Sequence, residues 1–298
     1  MLSVITATGA VIGEATMRSL IGLAMLMLMV LGTTPAGAAE PSLTLDLGGV
    51  THRFTAAELL ARPDAAELAI PHDHDYRRAT HYRAAPLLPL LAGLPPDRFD
   101  TLEARATDGF VAQIPLSLVR KGAAGGATAW IAVEPPGQPW PNLPGKNVGA
   151  GPFYLVWQHP ERSGVIPEQW PYQLASLTAV ESPAHRWPQL AVDPSLPPGA
   201  PARHGQRVFA ANCLPCHRLN GGGAGEMGPD LGRPMNATAY LTDAGLRALV
   251  RDPKAVRTWP LQRMPGFSAA TLPDTDLDAL LAYLHHMARH EDVASGQR

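Results

Sequence analysis

Apolar and polar residues alternate where the chain passes residue 40. Leu43, Leu45 and Leu47 are separated by polar residues as far as Gly48-Gly49, and the alternation then resumes. A period of two that is interrupted by glycines predicts a β-hairpin. Thr55 follows the second arm and is a suitable N-cap for a short helix.

Further apolar runs of strand length continue as far as residue 182. They cover residues 101–106, 110–114, 127–133, 152–157 and 172–180, and Thr107-Asp108-Gly109 marks a turn between the first two. A leucine-rich segment at residues 85–91 predicts a helix. The region from 40 to 182 is therefore predicted to be a mainly β (α+β) domain.

The period changes to that of a helix after residue 204. Val208 and Phe209 give residues 205–212 an apolar face, and Thr242 can cap a helix over residues 243–250. A final helix is predicted to begin at Asp274 or Thr275. Its apolar positions recur at helical spacing, at Leu277, Leu280, Leu281, Leu284 and Met287. An all-α second domain is predicted for residues 204–291, followed by a tail at 292–298.

Prolines are dense between these two regions, at residues 183–203. This composition predicts an extended, semi-rigid linker and the boundary between two domains. The length of 298 residues suits two domains, and a formal net charge of -2 gives no indication of nucleic-acid binding.

The first 38 residues have the pattern of a secretory signal peptide with an upstream extension. Arg18 precedes an apolar run at residues 20–31, and small residues at 36–38 could provide a cleavage site. Met17 could be the true start. The run is short for a membrane span of about 20 residues, so we expect a periplasmic protein, with membrane attachment only if the signal is not cleaved.

The two cysteines of the chain both lie in Cys213-Leu214-Pro215-Cys216-His217. A Cys-x-x-Cys-His run is the attachment motif of c-type haem, in which two thiols bind the porphyrin and the histidine binds its iron. A zinc site would require more ligands nearby, and a redox dithiol would require a preceding βαβ pattern. We therefore predict one covalent haem c, with His217 as an axial ligand.

The region from 204 to 291 resembles a class I cytochrome c domain, in which the first helix ends at the attachment motif. Gly228-Pro229-Asp230-Leu231 resembles the family's turn beneath the histidine, and the likeness implies that the Pro229 carbonyl orients His217. Met264, in Arg263-Met264-Pro265, resembles the family's methionine axial ligand.

Other sixth ligands, or an open site, remain alternatives to Met264. The candidates are Met227, Met235, Met287, His285, His286 and His290. The basic residues Lys254, Arg257 and Arg263 lie near Met264. They could steer an acidic redox partner, contact haem propionates or simply be solvated.

The first domain resembles the molybdopterin-binding domain of sulfite-oxidase-type oxidoreductases. The likeness rests on the hairpin, residues 85–91, Ala106-Thr107-Asp108-Gly109-Phe110 with Ile114-Pro115, residues 151–157, and residues 170–174. That family binds molybdenum through a cysteine thiolate, and residues 40–182 contain no cysteine. The likeness therefore implies the fold and argues against molybdopterin.

Histidines cluster in the first domain, at His72, His74 and His81. On an extended segment His72 and His74 would share one face, which makes a copper or zinc site one hypothesis. A solvated polar loop is the other.

Three functions follow from these patterns. The first is a periplasmic monohaem cytochrome, and not an enzyme, that carries single electrons between a dehydrogenase and a downstream cytochrome or oxidase, with a non-catalytic docking module. The second is a fused oxidoreductase, whose first domain binds molybdopterin or a histidine-held metal and passes electrons to the haem. The third is a sensor with an open haem site.

Overall fold

The computed structural model describes residues 40–95, 97–260 and 262–295, with side chains as far as residue 289. The signal-peptide prediction and the side chain of His290 lie outside the described residues. The strands of the first region are β1 Ser42–Asp46, β2 Thr51–Thr55, β3 Ala66–Ile70, β4 Thr80–Pro86, β5 Thr101–Ala106, β6 Val111–Pro115, β7 Thr128–Val133, β8 Phe153–Gln158 and β9 Leu174–Val180. Its short helices are α1 Ala56–Leu60, α2 Leu87–Leu90 and α3 Leu116–Arg120.

The strands form two sheets. One has five strands in the order β2-β1-β9-β5-β6, and the other has four in the order β3-β4-β7-β8. Only the β1–β9 pair is parallel among the described strands. Buried residues of both sheets belong to one hydrophobic cluster. The prediction of a mainly β region is thus confirmed.

The predicted hairpin is present as β1 and β2, in which Leu43 pairs with Phe54. The Thr55 hydroxyl accepts a hydrogen bond from the Glu58 N–H at 3.2 Å, and the Glu58 carboxylate accepts one from the Thr55 N–H at 2.8 Å. This reciprocal capping box satisfies two of the free donors at the start of α1. The cap prediction is therefore confirmed.

The segment 85–91 is not the single helix that the leucines predict. Ala85 and Pro86 continue strand β4, and α2 covers only Leu87–Leu90. Pro86 has an extended backbone, with φ −65° and ψ 134°, and so ends the strand and precedes the helix. Strands β3 and β4 are absent from the sequence prediction altogether.

The proline-rich segment is not an extended spacer. It contains α4 Pro183–Arg186 and a 3-10 turn at Pro188–Leu190, and α5 begins within it. Arg186 forms an ion pair with Glu103 of β5 at 2.6 Å, whereas Leu190 is buried in the helical region. The segment is therefore packed against both regions.

The helical region contains α5 Pro201–Asn212, α6 Ala237–Tyr240, α7 Asp243–Arg251, α8 Pro253–Val256 and α9 Asp274–Ser295. The predicted cap of α7 is confirmed, because the Thr242 hydroxyl accepts a hydrogen bond from the Gly245 N–H at 3.2 Å. Helix α9 begins at Asp274 and continues to Ser295, past the predicted start of a tail. No helix among the described residues is long and apolar enough to cross a membrane.

Helices α5 and α9 pack against each other and supply most of a second hydrophobic core. Phe209 and Tyr283 are both buried there, with ring centroids 5.5 Å apart. Residues 41–298 form one compact unit that contains both cores. The two separate cores agree with a two-domain organisation.

Candidate functional site

The attachment motif forms a single tight turn at the end of α5. The Cys213 N–H donates to the Phe209 carbonyl at 2.9 Å, and the Cys213 carbonyl accepts hydrogen bonds from the N–H groups of Cys216 at 3.1 Å and His217 at 2.8 Å. Leu214 is buried and anchors the turn in the second core. The helix end therefore places both thiols and the imidazole on one short piece of backbone.

The imidazole of His217 is oriented by the carbonyl of Pro229. Nδ1 lies 2.8 Å from this oxygen and donates its proton to it, which leaves Nε2 to bind a metal. Burial lowers the pKa of His217, so the ring is neutral at pH 7. A neutral imidazole with one nitrogen fixed by a carbonyl is the form that ligates haem iron.

Gly228 lies flat against the same ring. A Cβ at this position would be 2.3 Å from Cε1 of His217, which is closer than real Cβ contacts come. Only glycine therefore allows the backbone to approach the imidazole this closely. The sequence contained this residue in its Gly-Pro pair, but the reason for the glycine is visible only in the structure.

Asp230 shapes the loop that carries Pro229. Its carboxylate accepts four backbone hydrogen bonds, from the N–H groups of Asn220, Gly221, Gly232 and Arg233, at 2.7 to 3.1 Å. The Leu231 N–H also donates to the Arg218 carbonyl at 2.8 Å. These bonds hold the 228–231 segment beside the attachment turn.

The two thiols are unsuited to disulfide exchange. Burial raises the pKa of Cys216 to about 12 and also raises the pKa of Cys213. Redox dithiols have a lowered pKa, because the thiolate is the reactive form. The direction of both shifts is thus opposite to that of a reactive dithiol.

The β region contacts the attachment turn directly. The Val111 N–H, at the start of β6, donates to the Pro215 carbonyl at 2.9 Å, and the Glu226 N–H donates to the Gly109 carbonyl at 3.3 Å. Gly109 has φ +93°, a conformation that favours glycine, and its Cβ position is 3.4 Å from the Glu226 Cβ. The β5–β6 turn thus lies against the motif, a contact that no sequence pattern indicated.

Residues 202–288 match the family model for cytochrome c. The helical region is a c-type cytochrome domain. Proteins with this domain bind haem c and transfer electrons, and the donor set of Cys213, Cys216 and His217 fits that cofactor. None of the curated proteins matches the chain.

Met264 lies in the loop of the cytochrome domain that connects α8 to α9. Its side chain is half-buried, whereas Arg263 and Pro265 on either side are exposed. Arg251 fixes the end of this loop, because its guanidinium donates to the carbonyls of Phe267 at 2.9 Å and Leu272 at 2.7 Å. Met264 is therefore partly buried in a loop whose end is anchored.

The alternative sixth ligands have other surroundings. Met287 is buried in the helix core, and Met235 is 54% exposed. The imidazole of His286 accepts a hydrogen bond from the Asp193 N–H at 3.0 Å, and that of His285 pairs with Asp243 at 2.6 Å. Met227 lies on the attachment side, with its sulfur 3.8 Å from the Cys216 sulfur.

Besides single atoms of Trp130, Arg218, Asn220 and Asn236, two further side chains carry buried polar atoms that have no hydrogen-bond partner among the described residues. They are Glu168, through Oε2, and Gln262, two positions before Met264, through both Oε1 and Nε2. Unpaired buried polar atoms are rare in native proteins. For Gln262 this fits a site that is completed by a cofactor, and neither residue carried a signal in the sequence.

The histidines of the β region do not form a metal cluster. His72, His74 and His81 are all exposed, and His81 pairs with Ala69 in the β3–β4 ladder. Among the residues that the structure describes, no three His, Cys, Asp or Glu side chains are placed to hold a metal ion. The structure therefore gives the second metal site no support.

Proposed function

We propose that this protein is a periplasmic monohaem c-type cytochrome, which carries one electron at a time from a dehydrogenase to a downstream cytochrome or oxidase. The observation that carries the proposal is the attachment turn, on which Cys213, Cys216 and a carbonyl-oriented His217 share a few residues of backbone. The family match over residues 202–288 supports it.

Different residues of the site are proposed to bind different parts of the cofactor. When bound, haem supplies an iron that changes between ferric and ferrous states without bond making. Cys213 and Cys216 would tie the macrocycle to the end of α5, and His217 would bind the iron through Nε2. Met264 would be a second iron ligand, and a thioether would raise the potential relative to a second imidazole.

The β region is proposed to be a non-catalytic docking module with a sulfite-oxidase-like fold. Two sheets around one core support that fold, and a region without cysteine lacks the thiolate by which that family binds molybdenum. Its contacts with Pro215 and Glu226 give it a structural role at the haem-attachment turn.

The proposed redox partner is acidic. Lys254, Arg257 and Arg263 are exposed around the Met264 loop, where Arg257 lies over the exposed ring of Trp259 at 5.6 Å. Positive charge at such a surface accelerates encounter with a negative partner at low salt. Periplasmic location is proposed from residues 20–31 and agrees with covalent haem attachment, which bacteria carry out after export.

The ligand assignment is tested by Met264→Ala. We expect the low-spin absorption spectrum of the purified protein to change to a high-spin one, and the reduction potential to fall, because a thioether ligand is lost. Met235→Ala is the matched control, since Met235 is exposed, and its spectrum should be unchanged. An unchanged spectrum in Met264→Ala would instead favour another ligand or an open site.

A further inference from the structure

We propose that Glu168, contributed by the β region, takes up a proton when the haem is reduced and releases it when the haem is oxidised. The inference rests on the proposed function, because it requires haem at Cys213 and Cys216. It assigns the β region an effect on the potential of the cytochrome domain, in addition to a docking role.

The backbone places Glu168 beside the attachment turn. It lies in a 3-10 turn at Pro167–Gln169, which packs against strand β6, the strand whose Val111 N–H bonds to Pro215. Buried Trp157 donates its indole N–H to the Gln169 carbonyl at 2.8 Å, and the Gln169 side chain accepts from the Ile166 N–H at 3.0 Å. These bonds fix the backbone of the turn that carries Glu168.

The carboxyl group has little to stabilise its charge. Oε2 is buried with no hydrogen-bond partner among the described residues. Burial raises the pKa of Glu168 to about 7, against a smaller lowering by its own backbone N–H, and the charge of Asp75 raises it further. Both protonation states are therefore accessible near neutral pH.

Glu168 is close enough to both thiols for its charge to raise the pKa of each. The charge of Asp108 also raises the pKa of Cys216, and the charge of Lys146 lowers it. The charge of Asp75 raises the pKa of Glu168 and shifts that of neither thiol. The thiols do not ionise once they are thioethers. Among the described residues, Glu168 is thus a group of raised pKa whose charge acts on both attachment positions.

The charge at the haem iron and the charge of the Glu168 carboxylate then influence each other electrostatically. Oxidation removes one electron and leaves an additional positive charge at the iron, which favours the ionised carboxylate and so lowers its pKa. Reduction by one electron is accompanied by binding of one proton from solvent to the Glu168 carboxylate. A tenfold difference in proton affinity between the two oxidation states corresponds to about 59 mV of potential.

The test is the reduction potential of the full-length haem-loaded protein, measured by redox titration from about pH 5 to about pH 9, two units either side of the Glu168 pKa. We expect the wild-type potential to fall as pH rises through this window and the potential of Glu168→Gln to be flat and higher. Glu161→Gln is the matched control, because Glu161 lies in the preceding 3-10 turn with its side chain 69% exposed, and it should titrate like the wild type.

Each outcome either supports or overturns the role proposed for Glu168. If a pyridine-haemochrome assay detects no haem in the purified protein, the proposed function and this inference are both overturned. Haem-loaded protein whose potential is independent of pH, or falls equally in Glu168→Gln, would overturn the inference alone. If Glu168→Gln fails to fold, infrared difference spectra of the wild type decide instead, since a protonated carboxyl band must disappear on oxidation and shift in D₂O.

Discussion

The carbonyl of Pro229 and the backbone of Gly228 fix the imidazole of His217 from two sides. The carbonyl sets which nitrogen carries the proton, and the glycine allows the chain to pass over the ring. Second contacts of this kind orient a metal ligand and raise its basicity. The proposed ligand is thus oriented by a neighbouring loop, which Asp230 holds in place.

Gly228→Ala tests this arrangement. The added Cβ would be 2.3 Å from the His217 ring, so the ring or the loop must move and the bond to Pro229 must lengthen. We expect at least a severalfold loss of haem per chain, or a fall in the reduction potential where haem is retained. Both are measured on the purified protein, by haemochrome assay and by redox titration.

The control for this variant is Gly199→Ala. Gly199 has open space around its Cβ position and an ordinary φ, so the same substitution should leave haem content and potential unchanged. Wild-type values in Gly228→Ala would contradict the role assigned to the glycine.

The residues that sequence could identify are those whose chemistry is local. Cys213, Cys216 and His217 are recognised by spacing, because one turn of backbone suffices to bring them together. Glu168 lies far from them in sequence, in a turn that packs against β6, the strand whose Val111 N–H donates to the Pro215 carbonyl. No pattern of neighbouring residues in the sequence indicates such a long-range contact.

At the scale of elements, the strands with clear alternation or clear turns were predictable. Strands β5 and β6 were indicated by the Asp108-Gly109 turn, and the N-cap of α1 by Thr55. Strands β3 and β4 were missed because their alanines and charged residues give a weak period of two. They pair over five positions regardless, so tertiary packing outweighs local preference here.

In the proline-rich segment, too, tertiary packing outweighs the local preference of the sequence. Proline density predicts an extended chain, and long-range contacts determine the outcome instead. Arg186 pairs with Glu103, and the Tyr283 hydroxyl donates to the Leu190 carbonyl at 2.7 Å. The Arg203 guanidinium also donates to the carbonyls of residues 193, 194, 196 and 197.

Gly205→Ala tests the packing of α5 on α9. A Cβ at Gly205 would be 1.9 Å from the Ala279 carbonyl oxygen, which is backbone of the other helix and cannot turn aside. We expect the helices to separate and the free energy of unfolding to fall by about 1 to 3 kcal/mol, which exceeds the roughly 1 kcal/mol that alanine gains in helix propensity. Thermal unfolding of the cytochrome domain, followed by haem absorbance, measures the change.

Gly245→Ala is the matched control in helix α7. Its Cβ position makes ordinary contacts, 3.4 Å from the Thr242 hydroxyl and 3.8 Å from Leu241, so the variant should be as stable as the wild type or up to about 1 kcal/mol more stable. Equal unfolding temperatures for Gly205→Ala and the wild type would show that the helix contact is not close.

At the scale of the whole molecule, the β region and the helical region contact each other at the attachment turn. The β5–β6 turn contributes a backbone donor to Pro215 and a backbone acceptor to Glu226. Composition and periodicity could indicate the two regions, because each has its own pattern of apolar residues. Their contact at the motif depends on how the folded surfaces fit, which the sequence does not display.

The central claim is that Cys213 and Cys216 hold one haem covalently. The most direct measurement is the mass of the intact, unfolded chain after export in cells that possess haem-maturation machinery, combined with its metal content. We predict a mass increase of one haem, one iron and no molybdenum or copper. The increase should be lost when both cysteines are replaced by alanine. A chain that carries no haem after unfolding, or stoichiometric molybdenum or copper beside the iron, would contradict this account.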